Sequence, residues 1–355
     1  MQNPGSSTQA EPMQSSGTLR ESQSRGRGSV PASLGRIYHV IGRSGVRGQI
    51  LSLLIIVLLF ALGTGGRYLA VGNIRTIIAL ASIPAIIAIG VHQVVVLGGL
   101  DLSVEGVIAI CAVSVGLLTR NSMTQADIGL WIIPVVMIIG GCAGLVNGVL
   151  HTKLRIPSLM TTLGINWVFF GLAILISRGQ SIRILDPRFQ AVVNSRVWGF
   201  PTVALFALGV LAIVTLFQSR TRYGRYLYAV GGDELLAKQG GVKTDRVKIL
   251  VFVMAGVIYG IAALLLVARL NSSAARIGDN LLFPAMTAVA VGGVALTGGI
   301  GGARNALFGA LIVSALNNGL VMMRVNPYTQ YAVNGIVLIC AVALTIDRKK
   351  LGFIK

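Results

Sequence analysis

Acidic residues are scarce: the 355-residue chain carries 11 Asp and Glu against 30 Lys and Arg, and charged side chains make up only 12% of it. Aromatics are 6%, and there are three cysteines and three histidines. Each shortage excludes something. A nucleic-acid binder with a formal net charge of +19 would gather its cations on one face among stacking aromatics, and here the aromatics are too few. His39, His92 and His151 are too scattered for a metal cluster, and no H-E-x-x-H sequence occurs. Cys111, Cys142 and Cys340 fall in apolar runs without pairable spacing, so each reads as a buried small hydrophobe and not as a disulfide partner. The phosphate-cradling G-x-x-x-x-G-K-[ST] loop is missing, so any ATP hydrolysis has to come from another chain.

What is abundant is apolar: 54% hydrophobic residues, 45 Gly and a mean hydropathy of +0.79, the composition of an integral membrane protein. A helix needs about 20 apolar residues to cross a hydrocarbon core of ~30 Å, where backbone groups find no water. Ten such spans are expected, at 50–65, 76–97, 104–119, 129–150, 157–177, 199–218, 249–268, 283–298, 304–322 and 329–346. The fold class is therefore all-α and polytopic. With the N-terminus inside, inside segments hold 20 of the 30 Lys and Arg residues, which favours an N-in, C-in orientation. The outer loop 178–198 dissents, with Arg178, Arg183, Arg188 and Arg196 opposed only by Asp186.

Residues 1–48 are rich in Ser, Gly, Gln and Arg without apolar periodicity, and are expected to be a disordered cytoplasmic tail ahead of a transmembrane domain over 49–355. The first apolar run reads as a retained anchor and not as a cleaved leader. "GRSG" at 42–45 lies in that polar tail, outside any span, which leaves an intramembrane hydrolase without a catalytic set. "NGVLHTKLRIPSLMTTLGI" from Asn147 and "NGLVMMRVNPYTQYAVNGI" from Asn318 are similar to each other and fall on opposite faces of this topology, the signature of an inverted repeat. The inside loop 219–248 carries mixed charges and a short helix expected near Glu234–Gln239 between glycine pairs, and reads as a docking surface for a cytoplasmic partner.

Several ordered motifs carry a family resemblance over about residues 70–348: "GGLDLSVEG", "LGINWVFFGLAILISRGQSI", "YGRYLYAVGGDELLAKQGGV", "VARLNSS", "VGGVALTGGIGG", "LNNGL" and "NPYTQYAVNGIVLICAVALTIDRKK". Together they resemble the permease subunits of bacterial ABC importers for simple sugars, of the ribose, galactose and xylose type. The resemblance implies a multi-pass protein of the bacterial inner membrane that is not itself an enzyme. It implies a periplasmic sugar-binding protein that delivers a monosaccharide or related polyol, a second permease subunit, identical or not, beside this one, and a cytoplasmic ABC ATPase that spends the ATP. No cofactor is expected on this chain. The segment Gly224 to Gly241 would be the coupling helix, with Gly224, Arg225, Gly231, Gly232, Asp233, Glu234, Ala237 and Gly241 as coupling residues.

Two departures from the family pattern stand out. Glu105 replaces a small residue after "DLSV", and Leu282 and Pro284 stand where carboxylates are common. Polar residues inside spans usually face a cavity or another helix. His92, Gln93, Asn166, Asn317, Asn318 and Asn334 qualify; all but Asn334, together with Gly98, Gly99, Asp101 and Ser103 of the signature, are candidates for the translocation path. The plainer reading of the signature is a helix boundary: Gly98 and Gly99 end the second span, Asp101 or Ser103 caps the third, and Glu105 sits in its first turn. The competing function is a secondary transporter or channel built on inverted repeats. It would need a coupling-ion site, and the spans hold no carboxylate away from their ends.

Overall fold

The computed structural model describes residues 46–197 and 199–345. The expected tail up to residue 45, with its "GRSG", and the basic C-terminal end lie outside the described residues.

Thirteen helices follow in order among the described residues: α1 (Arg47–Gly63), α2 (Val71–Val96), α3 (Val104–Leu118), α4 (Ile132–Lys153), α5 (Ser158–Ser177), α6 (Pro187–Asn194), α7 (Thr202–Arg220), α8 (Arg222–Gly232), α9 (Glu234–Gln239), α10 (Thr244–Leu270), α11 (Leu282–Val291), α12 (Ala303–Met322) and α13 (Pro327–Thr345). Six are long and apolar enough to cross a membrane: α2, α4 with the turn before it, α5, α7, α10 and α12. α1, α3 and most of α13 are apolar but shorter. The chain is a mostly helical, polytopic membrane protein.

Burial sorts the long helices. The apolar window of α2 is 61% buried and that of α10 is 56%, against 17% for α5, so α2 and α10 form the centre and α5 the periphery. From Ile83 to Val96 every α2 residue but Pro84 is buried, as expected for a helix that is apolar all round and enclosed by others. α10 packs most extensively against α4, and the contact is glycine-made: a Cβ on Gly140 would stand 2.2 Å from the Gly256 carbonyl oxygen, and one on Gly144 2.1 Å from that of Phe252. In membranes such small-residue stripes let backbones approach, where no hydrophobic force distinguishes helix from lipid. In turn α12 packs against α2, α3 against α5, and α11 against α13.

The eighth expected span, 283–298, is helical only over its first half. α11 is ten residues long, about 15 Å at the helical rise and half a hydrocarbon core. Gly293, Gly298, Gly299 and Gly301 follow it at φ of 79°, 86°, 73° and 121°, a left-handed run that no helix continues. An averaged hydropathy cannot reveal this, because the glycines sit among Val, Ala and Leu. Ahead of α11, strand β2 (Ser272–Ser273) and a 3-10 turn (Ala275–Gly278) run along α3, with Ser273 against Gly116 and Gly278 against Ile108. The Gly292 carbonyl at the far end of α11 accepts bonds from Gln49 Nε2 on α1 (2.6 Å) and Asn305 Nδ2 on α12 (2.9 Å).

Of the cysteines, only Cys111 is buried; Cys142 on α4 and Cys340 on α13 are exposed. The expectation of three buried thiols fails because apolar sequence on the outside of a membrane bundle is turned toward lipid, not toward a core. The loop 178–201 is more structured than its sequence suggests. β1 (Ile182–Arg183) pairs antiparallel with β2, and Asp186 caps α6 by accepting the Arg188 N–H at 2.9 Å.

Candidate functional site

The segment between α7 and α10 folds as two short capped helices. Thr221 Oγ1 accepts the Gly224 N–H at the start of α8, and Asp233 Oδ1 accepts the Leu236 N–H at 3.0 Å at the start of α9. Gly241, at φ 83°, turns the chain toward α10. The α9 boundaries are those expected from sequence, because a capping Asp at one end and a glycine pair at the other are local signals. Asp233 is therefore a cap, and Glu234 pairs with Lys248 at 2.6 Å.

One face of α8, formed by Gly224, Leu227, Val230 and Gly231, is buried. Arg225 and Gly232 are exposed or nearly so on the structure's outer side, and Ala237 is the one buried residue of α9. Leu235 and Leu236 are instead 66% and 62% exposed. Two neighbouring exposed leucines follow Glu234 directly, an apolar pair with a charge at its edge. Sequence reasoning missed both leucines, since "ELLAK" gives no sign that the alanine is the inward residue.

The buried face of α8 rests on the end of α2 and on the loop after α11. A Cβ on Gly231 would stand 1.9 Å from the Val96 carbonyl oxygen, and that same oxygen accepts the Gly299 N–H at 2.8 Å. Gly298 lies against both Gly98 and Gly231. Tyr228 donates to the Gly301 carbonyl at 2.7 Å, and Tyr223 donates to Gln93 Oε1 at 2.7 Å. Burial pushes both phenols up, so each stays a protonated donor. One residue earlier on α2, His92 Nε2 accepts from Gln218 Nε2 at 2.9 Å while Nδ1 donates to the Ile89 carbonyl, a pair of contacts that assigns one neutral tautomer. The structure thus brings His92, Gln93 and Gly98 together with Gly231 at one node. Tyr223, Tyr228 and Gln218 complete it, and nothing in their local sequence marks them.

The signature loop is held from outside. At every fourth residue α5 presents a polar side chain to it: Ser158 Oγ accepts the Leu100 N–H (3.1 Å), Thr162 Oγ1 the Leu102 N–H (3.0 Å) and Asn166 Oδ1 the Gly106 N–H (2.7 Å). Gly99 packs on Ser158. The capping of α3 differs from expectation. Ser103 occupies the cap position but makes no side-chain cap bond, because its hydroxyl donates to Asp101 Oδ1 (2.6 Å) and accepts from Asn147 Nδ2 (2.8 Å). Asp101 accepts the Ser103 N–H (2.9 Å) and the Tyr259 hydroxyl (3.0 Å), tying the loop to α10. The first-turn amide is satisfied by Asn166, which no local pattern foretells. Glu105 sits in the first turn as expected, yet its Oε1 reaches the Leu282 N–H of α11 at 3.2 Å.

Asn317 and Asn318 lie apart from this node. Asn334 Nδ2 donates to Asn317 Oδ1 at 2.9 Å, joining α12 to α13, and the Asn318 amide oxygen is buried without a partner, like that of Asn147. Among the described residues no group of three or more His, Cys, Asp or Glu is placed to hold a metal ion. The geometry links α8 by hydrogen bonds and glycine contacts to the central helix α2.

Residues 73–342 match the family model described as branched-chain amino acid transport system / permease component. Among curated proteins, the ribose import permease protein RbsC of Bacillus subtilis (strain 168) is 34% identical over 310 residues, 85% of this chain and 92% of the relative. The L-arabinose transport system permease protein AraH of Escherichia coli (strain K12) is 32% identical over 286 residues, 78% of this chain and 83% of its own length. The fructose import permease protein FrcC of Rhizobium meliloti is 29% identical over 326 residues, 88% of each. No solved structure matches the chain at a significant level.

Proposed function

Since the chain belongs to this family of transport-system permease components, and the curated relatives it resembles are named for sugar import or transport, we propose that it is the membrane-spanning permease of an ATP-driven importer of a monosaccharide or related polyol. The observation that carries the reading is the 34% identity to the ribose import permease, over 85% of this chain and 92% of the relative. The node where α8 rests on α2 supports it, because a permease worked by a separate ATPase needs a cytoplasmic face that grips the membrane core. A cytoplasmic ABC ATPase docks on Arg225, Glu234, Leu235 and Leu236; a periplasmic binding protein and a second permease subunit complete the assembly in the bacterial inner membrane. Movement of α8 reaches α2 through Gly231 and Tyr223, and the loop after α11 through Tyr228, giving alternating access.

Ten crossings with both termini inside fit the architecture if 271–292 counts as one broken crossing. An inverted repeat pairing α2–α5 with α10–α13 is supported by the packing: exchanging the two sets turns the α4–α10 contact into α12–α2, and α3–α5 into α11–α13. The short connections inside the sequence repeat agree, since Arg155 and Arg324 occupy matching places at φ of 56° and 58°. On this topology the starts of α3 and α11, joined by Glu105, lie deep in the membrane. Arg276, Asp279 and Asn280 are exposed at that level, where lipid would reject them, so they face the path between subunits together with Glu105.

Proteoliposomes containing the permease, its ATPase and its binding protein test the function. Labelled pentose or hexose uptake should require ATP and binding protein. Uptake that persists without ATP on a proton or sodium gradient overturns the proposal in favour of a secondary transporter.

A further inference from the structure

The starts of α8 and α10 enclose a second feature, whose lining does not include the exposed leucines. A cavity of about 420 Å³ opens there, lined among others by Arg222, Tyr226, Lys243, Arg246, Val247 and Leu250. Its chemistry is zoned. Arg222, Lys243 and Arg246 form a cationic rim, and none of the three has an ion pair or side-chain hydrogen bond among the described residues. No acid lines the cavity: of those nearby, Asp233 caps α9, Glu234 is paired with Lys248, and Asp245 is exposed outside the lining. Further along α10, Val247 and Leu250 supply an apolar wall, and Leu250 is 45% exposed where the apolar span begins.

We propose that this cavity binds the headgroup of an anionic phospholipid, with Arg222, Lys243 and Arg246 on the phosphate and Val247 and Leu250 beside the first acyl carbons. Three like charges without counterions repel one another and are stabilised by a phosphate, which guanidinium groups bind in a bidentate manner. A free phosphate would use the cations but leave the apolar wall bare; a lipid uses both. Basic pockets between helices on the cytoplasmic side of a membrane recognise headgroups by the same chemistry. The inference rests on the membrane placement of α10, not on the identity of the sugar. An ATPase contact at these cations is the competing use of the surface.

Native mass spectrometry of the full detergent-purified chain, titrated with tetraoleoyl cardiolipin, tests the site, with dioleoyl phosphatidylcholine and inorganic phosphate as comparison probes. Cardiolipin should be retained by the wild type, phosphatidylcholine should not, and millimolar phosphate should fail to displace it. Arg222→Gln/Lys243→Gln/Arg246→Gln should weaken retention by at least about tenfold, and the single change Arg246→Gln by about fivefold, should the triple variant elute abnormally. Arg178→Gln/Arg183→Gln/Arg196→Gln in the outer loop should leave it unchanged. Equal retention by the cavity variants, equal retention of phosphatidylcholine, or displacement by phosphate overturns the proposal. Loss of ATPase co-purification with lipid retention intact does so too, and assigns the cations to the partner. Lipid retention is read without transport, so its failure is distinguishable from failure of the importer reading.

Discussion

Glu105 of α3 holds the start of α11: its Oε1 accepts the Leu282 N–H at 3.2 Å, across 177 positions of sequence. Both places are ones where the sequence was expected to differ from the family resemblance, and the structure couples them. The carboxylate absent from the beginning of the half-helix, where Leu282 and Pro284 stand, is supplied by its neighbour, where it also offsets the positive end of the helix. Glu105→Gly should leave that N–H unsatisfied at a cost of about 1–2 kcal/mol, measurable as a lower thermal midpoint in detergent. Glu105→Gln separates the roles: a cap survives as a neutral acceptor with uptake kept, whereas a wall of the sugar path shows an altered apparent KM.

Gly231 tolerates no side chain, since a Cβ there would stand 1.9 Å from backbone. Gly231→Ala should reduce ATP-driven uptake by more than about tenfold, the scale of a 1.4 kcal/mol or larger disturbance, while the protein still inserts. Wild-type uptake in a correctly inserted Gly231→Ala protein would remove this contact from the coupling route.

Tyr223→Phe deletes the donor to Gln93 Oε1, and Gln93 Nε2 is already buried without a partner. The expected cost is about 1–3 kcal/mol, because the amide is then left wholly unsatisfied in a buried site. Adding Gln93→Leu should recover part of the lost midpoint; equal loss in the single and double variants would argue against this pairing.

The loop 178–201 should loosen in acid. The Arg188 side chain, bonded to Asp186 at 2.9 and 3.0 Å and to Asp127 at 3.2 Å, holds the Asp186 carboxyl below its ordinary range. A depressed folded value adds stability that is fully present above the unfolded value, about 3.9, and is lost as pH falls through the folded one. Proteolytic nicking of the loop, followed with an acid-active protease, should rise below about pH 4. Asp186→Asn should be nicked readily at neutral pH and show no such rise.

The sequence readings that held were local ones. α9 was legible from Asp233 and the glycines around it, and most apolar helices from their length. What escaped was set at long range. The break after Val291 depends on glycine dihedrals that hydropathy averages away, and the inward turn of Ala237 in place of Leu235 depends on how α9 leans on its neighbours. Asn166 caps a helix 60 positions away. Its sequence marked it only as polar within a span, which does not distinguish a backbone acceptor from a substrate contact.

The clasp on the Gly292 carbonyl gives α1 a task of its own. The family model matches from residue 73 onward, after α1 has ended at Gly63, and so assigns this helix no part. Yet Gln49, one of its three buried residues, closes on the far end of the broken crossing, opposite the end gripped by Glu105. The half-helix is therefore latched at both tips by side chains from separate helices, and one of those latches lies ahead of the residues that the family model matches.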